Sequence, residues 1–226
     1  METQSELGNR RARILLVDDH PIVLRGLSLL INQESDIMVC GEAIDAESAL
    51  KALGALQPDL VIVDISLKGI NGLELIKNAK AQYAELPMLV LSMHNESLYA
   101  ERALRAGATG YIMKEEVTEK LVLAIRRVLK GEIYLSEKMS TKLLSRLVKG
   151  PLEKNSATLE RLTDRELQVF QLIGQGYSAR QIADQLHRSV KTIESHRERI
   201  KEKLKLGNTT ELVQHAFHWT QGLGSR

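Results

Sequence analysis

Four places in the chain carry residue types able to handle a phosphoryl group. One apolar run, "ILLV", ends in Asp18-Asp19, and another, "LVIV", ends in Asp64. "MLVL" is followed by Ser92, and "GYIM" by Lys114. Three carboxylates brought together repel one another and raise their own pKa values unless a cation joins them. A hard cation with oxygen ligands, such as Mg2+, answers that need and keeps several waters. A hydroxyl and a point-charge ammonium on the same edge suit phosphoryl oxygens. Taken singly, each residue has a plainer explanation. A strand-end Asp is most often a helix cap or a loop residue, and Ser92 or Tyr111 an ordinary sheet residue. One fitting residue at each of four strand ends, in order, favours the chemical reading.

The elements that must position these residues follow from hydrophobic patterning. Short β-branched apolar runs read as strands buried on both faces. "ILLVDD", "IMVCGEA", "LVIVDI", "PMLVLSM" and "GYIMK" alternate with helical segments. The first helix has Pro21 in its first turn and Val23, Leu27 and Leu30 on its apolar face. Five such βα units predict an α/β fold with a doubly wound, five-stranded parallel sheet. In parallel sheets the strands end on the same edge, so the acids, Ser92 and Lys114 share it.

Residues 131–148 pattern as a short amphipathic helix with Leu143, Leu144 and Leu147, and "KGPLEKNSATLE" reads as a linker. From Leu159 to Trp219 the signal is helical throughout. "TDRE" and "SARQ" match capping boxes, Ser189 can cap a third helix, and Asn208 with Glu211 a fourth. Four helices result, at about 164–174, 179–186, 190–205 and 209–219. The organisation expected is a first domain over 12–131, a linker over 132–158 and an all-α four-helix domain over 159–222.

Composition agrees with two domains. The chain has 226 residues, 43% apolar, with a net charge of only +2. Residues 1–150 hold 19 Lys+Arg against 20 Asp+Glu, and residues 151–226 hold 12 against 9. Residues 187–205 hold 7 against 3, a local basic excess that points to a polyanion partner. The single cysteine, Cys40, reads as a small buried strand residue. No apolar run approaches the ~18 residues that span a bilayer, and the N-terminus lacks an apolar signal core. A cytoplasmic protein without membrane contact is expected.

The segments "ILLVDDHPIVLRGL", "DLVIVDISLKGINGLEL", "VLSMH" and "GATGYIMK" resemble the receiver domain of two-component response regulators, a flavodoxin-like fold, over about residues 13–130. The resemblance implies that Asp64 is the phospho-acceptor, taking phosphate from the phosphohistidine of a sensor histidine kinase. It implies that Asp19, Asp64 and the backbone carbonyl of Ser66 hold Mg2+, with Asp18 acting through water. Lys114 would pair with the phosphoryl group, and Ser92 with Tyr111 would form the switch, the ring turning inward. Ser66 and His94, each two residues beyond a site residue, flank the path of an attacking water and are candidates for tuning phospho-Asp64 lifetime. Two positions depart from the pattern: Lys68 and Glu115 stand where receivers often have proline. The second leaves open whether the Lys114–Glu115 bond is cis.

In the last domain, two capped helices separated by "LHRS" have helix-turn-helix spacing. At ~100° per residue, Ile193, Ile200 and Leu204 fall on one side of the second helix. Lys191, Glu194, Ser195, Glu198 and Glu202 fall opposite, flanked by Thr192 and Arg199. The mixed donors and acceptors suit base edges, and Arg188, Lys191, Arg199 and Lys203 suit phosphates. On the helix alone, a solvated and salt-bridged face fits equally well. "LTDRELQVFQLIGQGYSARQIADQLHRSVKTIESHRERIKEKL" resembles the LuxR-type helix-turn-helix of NarL/FixJ-family regulators. That implies a helix in the major groove of double-stranded DNA, a last helix that helps pair two copies, and a core position for His196. Trp219 and Phe217 are expected in the core or a dimer contact.

The reading is a response regulator whose phosphorylation controls dimerisation, binding to promoter half-sites and transcription, with RNA polymerase a further candidate partner. No turnover of an outside substrate is expected. A haloacid-dehalogenase-type phosphatase would want a second Asp where Ser66 stands. A receiver that acts as an interaction module without phosphorylation is the other alternative, and the intact Asp64 set speaks against it.

Overall fold

The computed structural model describes residues 10–67, 71–149, 159 and 161–224. It divides into two compact units, Met1–Leu144 and Ser145–Arg226. In the first, strands β1 (Ala12–Val17), β2 (Ile37–Ala43), β3 (Leu60–Asp64), β4 (Met88–Ser92) and β5 (Gly110–Met113) alternate with helices. These are α1 (Pro21–Asn32), α2 (Ala46–Leu56), α3 (Gly72–Gln82), α4 (Glu96–Ala106) and α5 (Val117–Leu129). The sheet is parallel in the order β2-β1-β3-β4-β5. The order reverses at β1, so a crevice opens between the carboxyl ends of β1 and β3.

Both faces of the sheet are covered, which is why β3 and β4 are buried at every position. On one face Ile14, Leu16, Ile62, Leu89 and Ile112 pack with Leu24, Leu27 and Ile31 of α1 and Leu121, Ile125 and Val128 of α5. Each such side chain contributes about 2 kcal/mol on burial. The core stripe of α1 is therefore Leu24, Leu27 and Ile31. Of the expected trio only Leu27 is fully buried; Val23 and Leu30 lie half-buried at its margin. Cys40 is also half-buried rather than enclosed, because β2 is an edge strand.

Helix α3 starts where backbone crowding leaves no choice of residue. A Cβ on Gly72 would stand 2.1 Å from the Asp64 carbonyl oxygen, and the Gly72 N–H donates to the Ile65 carbonyl at 2.9 Å. Asn71 caps the helix through Leu73 N. This close approach clamps the chain just after Asp64.

After α5, residues 132–136 run beside β5, and α6 (Glu137–Lys149) follows. The second unit holds α7 (Asp164–Gly174), α8 (Ala179–Gln185), α9 (Val190–Leu204) and α10 (Thr209–Gly224). Both expected capping boxes form, Thr163 with Glu166 and Ser178 with Gln181. Ser189 caps α9, and Asn208 Oδ1 accepts from Glu211 N at 2.9 Å. Leu167, Phe170, Ile182, Ile193, Ile200, Leu204, Leu212 and Ala216 are buried. A Cβ on Gly174 would meet the Ala216 carbonyl at 2.5 Å, so α7 and α10 cross in close contact. Trp219 joins this core, its ring 5.5 Å from that of Phe170, whereas Phe217 is exposed. Among the described residues no helix is long and apolar enough to cross a membrane.

Candidate functional site

The strand ends do converge. Asp18 and Asp64 are each 2% exposed, and Asp19 lies beside them. Ligand atoms of Asp18, Asp19, His20 and Asp64 all fall within 4.8 Å of one another. Lys114, from the turn that follows β5, reaches across to Asp18 Oδ2 at 2.6 Å and Asp64 Oδ2 at 3.0 Å. Burial pushes the Asp64 carboxyl above its usual range; the Lys114 charge opposes this and Asp18 adds to it. Burial also works against the Lys114 charge, but Asp64 and Asp18 outweigh it and hold the ammonium above its usual value. One cation is thus shared between two buried anions.

Two carboxylate oxygens stay buried and without a hydrogen-bond donor, Asp19 Oδ1 and Asp64 Oδ1. His20 Nδ1 approaches Asp19 Oδ1 to 2.8 Å but is not aligned as a donor. Buried anionic oxygens without donors are expensive. They fit a hard divalent cation, which takes carboxylate and carbonyl oxygens. The donor set is therefore suited to Mg2+.

His20 was not singled out by sequence reasoning, although its place in "DDHP" is the signal. Its backbone N–H donates to Asp18 Oδ1 at 2.8 Å and so fixes that carboxylate as α1 begins at Pro21.

On the other flank of the pocket, His94 ties four groups together. Its N–H donates to Ser92 Oγ at 3.0 Å, and its carbonyl accepts from Tyr111 OH at 2.7 Å. Its Nε2 lies 2.9 Å from Ser66 Oγ, and its ring stacks on Tyr99 at 4.7 Å. Burial first, then the Lys114 charge, lowers the imidazole pKa to about 4. The Ser66–His94 contact links the segment that follows β3 to the segment that follows β4. Tyr111 is buried with its ring turned in, and burial drives its phenol far above its usual value. Lys68 lies outside the described residues. The Lys114–Glu115 bond is trans, and residues Lys114–Glu116 form a 3-10 turn.

In the second unit α8 and α9 form the helix-turn-helix pair. Ile193, Ile200 and Leu204 are buried, and Arg188, Lys191, Glu194, Ser195, Glu198 and Arg199 are exposed. Glu194 pairs with Arg197 at 3.0 Å and Glu198 with Lys201 at 2.9 Å. Thr192 is half-buried, and its Oγ1 meets Ser189 Oγ at 2.8 Å in the cap. Ser195 Oγ donates back to the Lys191 carbonyl. Burial pulls the pKa of half-buried His196 down.

Lys203 departs from its expected phosphate-facing role. Its Nζ donates to Glu166 Oε2 at 2.6 Å, and the Glu166 side chain is 3% exposed. A buried carboxylate demands a partner, and one turn of helix beyond Arg199 places Lys203 over α7. Burial would raise the Glu166 pKa, but Lys203 and the Thr163 cap bring it below its usual value. The pair fastens α9 to α7.

Comparison with known proteins agrees with this division. The response regulator receiver domain family matches residues 14–126, and the luxR family of bacterial regulatory proteins matches residues 160–216. The oxygen regulatory protein NreC of Staphylococcus aureus is 36% identical over 209 residues, covering 91% of this chain and 96% of the relative. Among solved structures, RcsB from Salmonella enterica serovar Typhimurium, bound to promoter rprA in the presence of phosphomimetic BeF3-, is 27% identical. It covers 92% of this chain and 98% of its own, with a TM-score of 0.61. A LuxR-family two-component response regulator from Aurantimonas sp. SI85-9A1 is 34% identical and covers 62% of this chain and 100% of its own, with a TM-score of 0.58. The converged acidic edge, the helix-turn-helix unit and these matches together place the chain in the NarL/FixJ-type two-component response regulators.

Proposed function

We propose that Asp64 accepts a phosphoryl group from the phosphohistidine of a sensor kinase, and that its phosphorylation controls dimerisation and promoter binding by the helix-turn-helix unit. The observation that carries this reading is the buried set of Asp18, Asp19, Asp64 and Lys114 with two carboxylate oxygens lacking donors. An Asp64 oxygen attacks phosphorus, the bond from phosphorus to the kinase imidazole breaks, and the imidazole leaves with the bonding pair and takes up a proton. Asp64 becomes an acyl phosphate. Asp19, Asp64 and the Ser66 carbonyl would hold Mg2+, with Asp18 through water. When bound, that ion supplies positive charge to the phosphoryl oxygens. Lys114 exchanges part of its contact with Asp64 for the new oxygens, and Ser92 donates its hydroxyl to them.

Arg188, Lys191 and Arg199 are assigned to DNA phosphates, and Thr192, Glu194, Ser195 and Glu198 to the groove edges. Paired as a dimer, two copies of α9 address two half-sites. The sequence relatives and solved neighbours are named as regulators, which supports a regulatory role rather than turnover of outside substrates.

The test is intact mass after treatment with acetyl phosphate and Mg2+. Wild type gains one phosphoryl group and Asp64→Ala gains none. A wild-type chain that stays unmodified, or an Asp64→Ala chain modified equally, defeats the reading.

A further inference from the structure

Residues 132–136 close the open edge of β5. Tyr111 N donates to the Tyr134 carbonyl at 2.8 Å, and Tyr134 N to the Thr109 carbonyl at 3.1 Å. Tyr134 is buried, with the Arg127 guanidinium 5.7 Å from its ring centroid. The strap ends at Ser136, which opens α6: its Oγ accepts from Met139 N and its carbonyl from Ser140 N.

A capping box would use a Glu or Gln at the third helical position to receive the N–H of the capping residue. That position here is Met139, which is buried. The acceptor comes instead from another helix. Glu96, 40 residues away, receives the Ser136 N–H on Oε1 at 2.8 Å and the Ser136 hydroxyl on Oε2. Glu96 is the first residue of α4, where a carboxylate is also favoured by the helix dipole. Asn95 before it caps α4, and His94 before that is bonded to both Ser92 and Tyr111. Residues 92–96 therefore join the acceptor pocket to the head of the linker helix without a gap.

We propose that the Glu96–Ser136 pair is a clasp through which the phosphorylation state of Asp64 reaches the linker helix. The inference rests on the phospho-acceptor reading of Asp64. A phosphoryl oxygen bonded by Ser92 adds a further restraint to the segment whose His94 already holds Ser92 and Tyr111. That restraint steadies Glu96, and the clasp on Ser136 tightens.

Hydrogen exchange on the full chain, with and without Mg2+ and beryllium fluoride, tests this. In wild type, exchange across residues 133–141 slows about fivefold or more with beryllium fluoride. In Ser136→Ala and Glu96→Ala the ratio between the two conditions falls to near one, while acetyl phosphate still modifies Asp64 to the wild-type extent. Ser136→Thr, which keeps the hydroxyl and N–H, restores the ratio. A merely structural cap would speed exchange equally in both conditions and leave the ratio unchanged, and that result overturns the clasp. So does a wild-type chain that takes up phosphate while residues 133–141 show no slowing. Failure of wild type to be modified at all defeats the Asp64 reading itself, and the clasp with it.

Discussion

In the acidic pocket the candidate side chains come from three separate stretches of chain, the end of β1, the end of β3 and the turn after β5, and 96 residues separate Asp18 from Lys114. On α9 the candidate side chains belong to one element, with Arg188 just before its cap. The pocket is buried, so its charges must satisfy one another at close range. The helix face is exposed, and its acids find lysine or arginine three residues along. Water screens the second set and not the first. The pocket therefore behaves as one unit, in which removing a member exposes the rest to unpaired burial. The helix face behaves as a sum of small and separable contributions.

Four measurements would break or sharpen that contrast. The largest effect is expected for Lys114→Ala, which leaves Asp18 and Asp64 buried without their shared cation. Stability of the first unit falls by about 3–5 kcal/mol in chemical denaturation. A loss below about 1 kcal/mol would mean that the pocket is wetter than its geometry indicates.

Next comes Glu166→Gln in the second unit. Loss of the charge from the Lys203 pair costs about 1–2 kcal/mol after discounting for the part-exposed lysine. The pH dependence has a definite sign. The Glu166 pKa is lower folded than unfolded, so its contribution is present above the ordinary carboxylate value of about 4.3 and is lost as pH falls through the folded value. Exchange of the 164–204 amides in acid should show that loss in wild type and a flatter profile in Glu166→Gln.

His94→Ala opens the Ser66 contact and removes the stack on Tyr99. The hydrolysis rate of phospho-Asp64, followed by loss of acyl phosphate, should change by a few-fold, about 1 kcal/mol in barrier. An unchanged rate would reduce His94 to a packing residue.

The smallest effects lie on the helix face. Lys191→Ala should lower the slope of log affinity for promoter DNA against log salt by about 1. Lys203→Ala should leave that slope unchanged, since its charge is spent on Glu166. A lowered slope for Lys203→Ala would return it to the phosphate contacts.

Much of the molecule was legible in the linear order of residues. A strand buried on both faces needs an unbroken apolar run, so β1, β3, β4 and β5 announced themselves, and the polar residues that end those runs marked the edge where chemistry collects. Caps act within a single turn, so Thr163, Ser178 and Ser189 were readable from three-residue spacing. What the chain order could not reveal depends on which elements become neighbours. Cys40 is half-buried because β2 falls at the sheet edge, a consequence of strand order rather than of its own run. Lys203 turns to Glu166, 37 residues away, because α7 lies beneath it, and Ser136 finds its carboxylate on α4 rather than one turn ahead. Periodicity and capping are short-range effects that the residues carry with them. Pairings across tens of residues exist only once packing has brought two surfaces together, and there the tertiary structure alone decides.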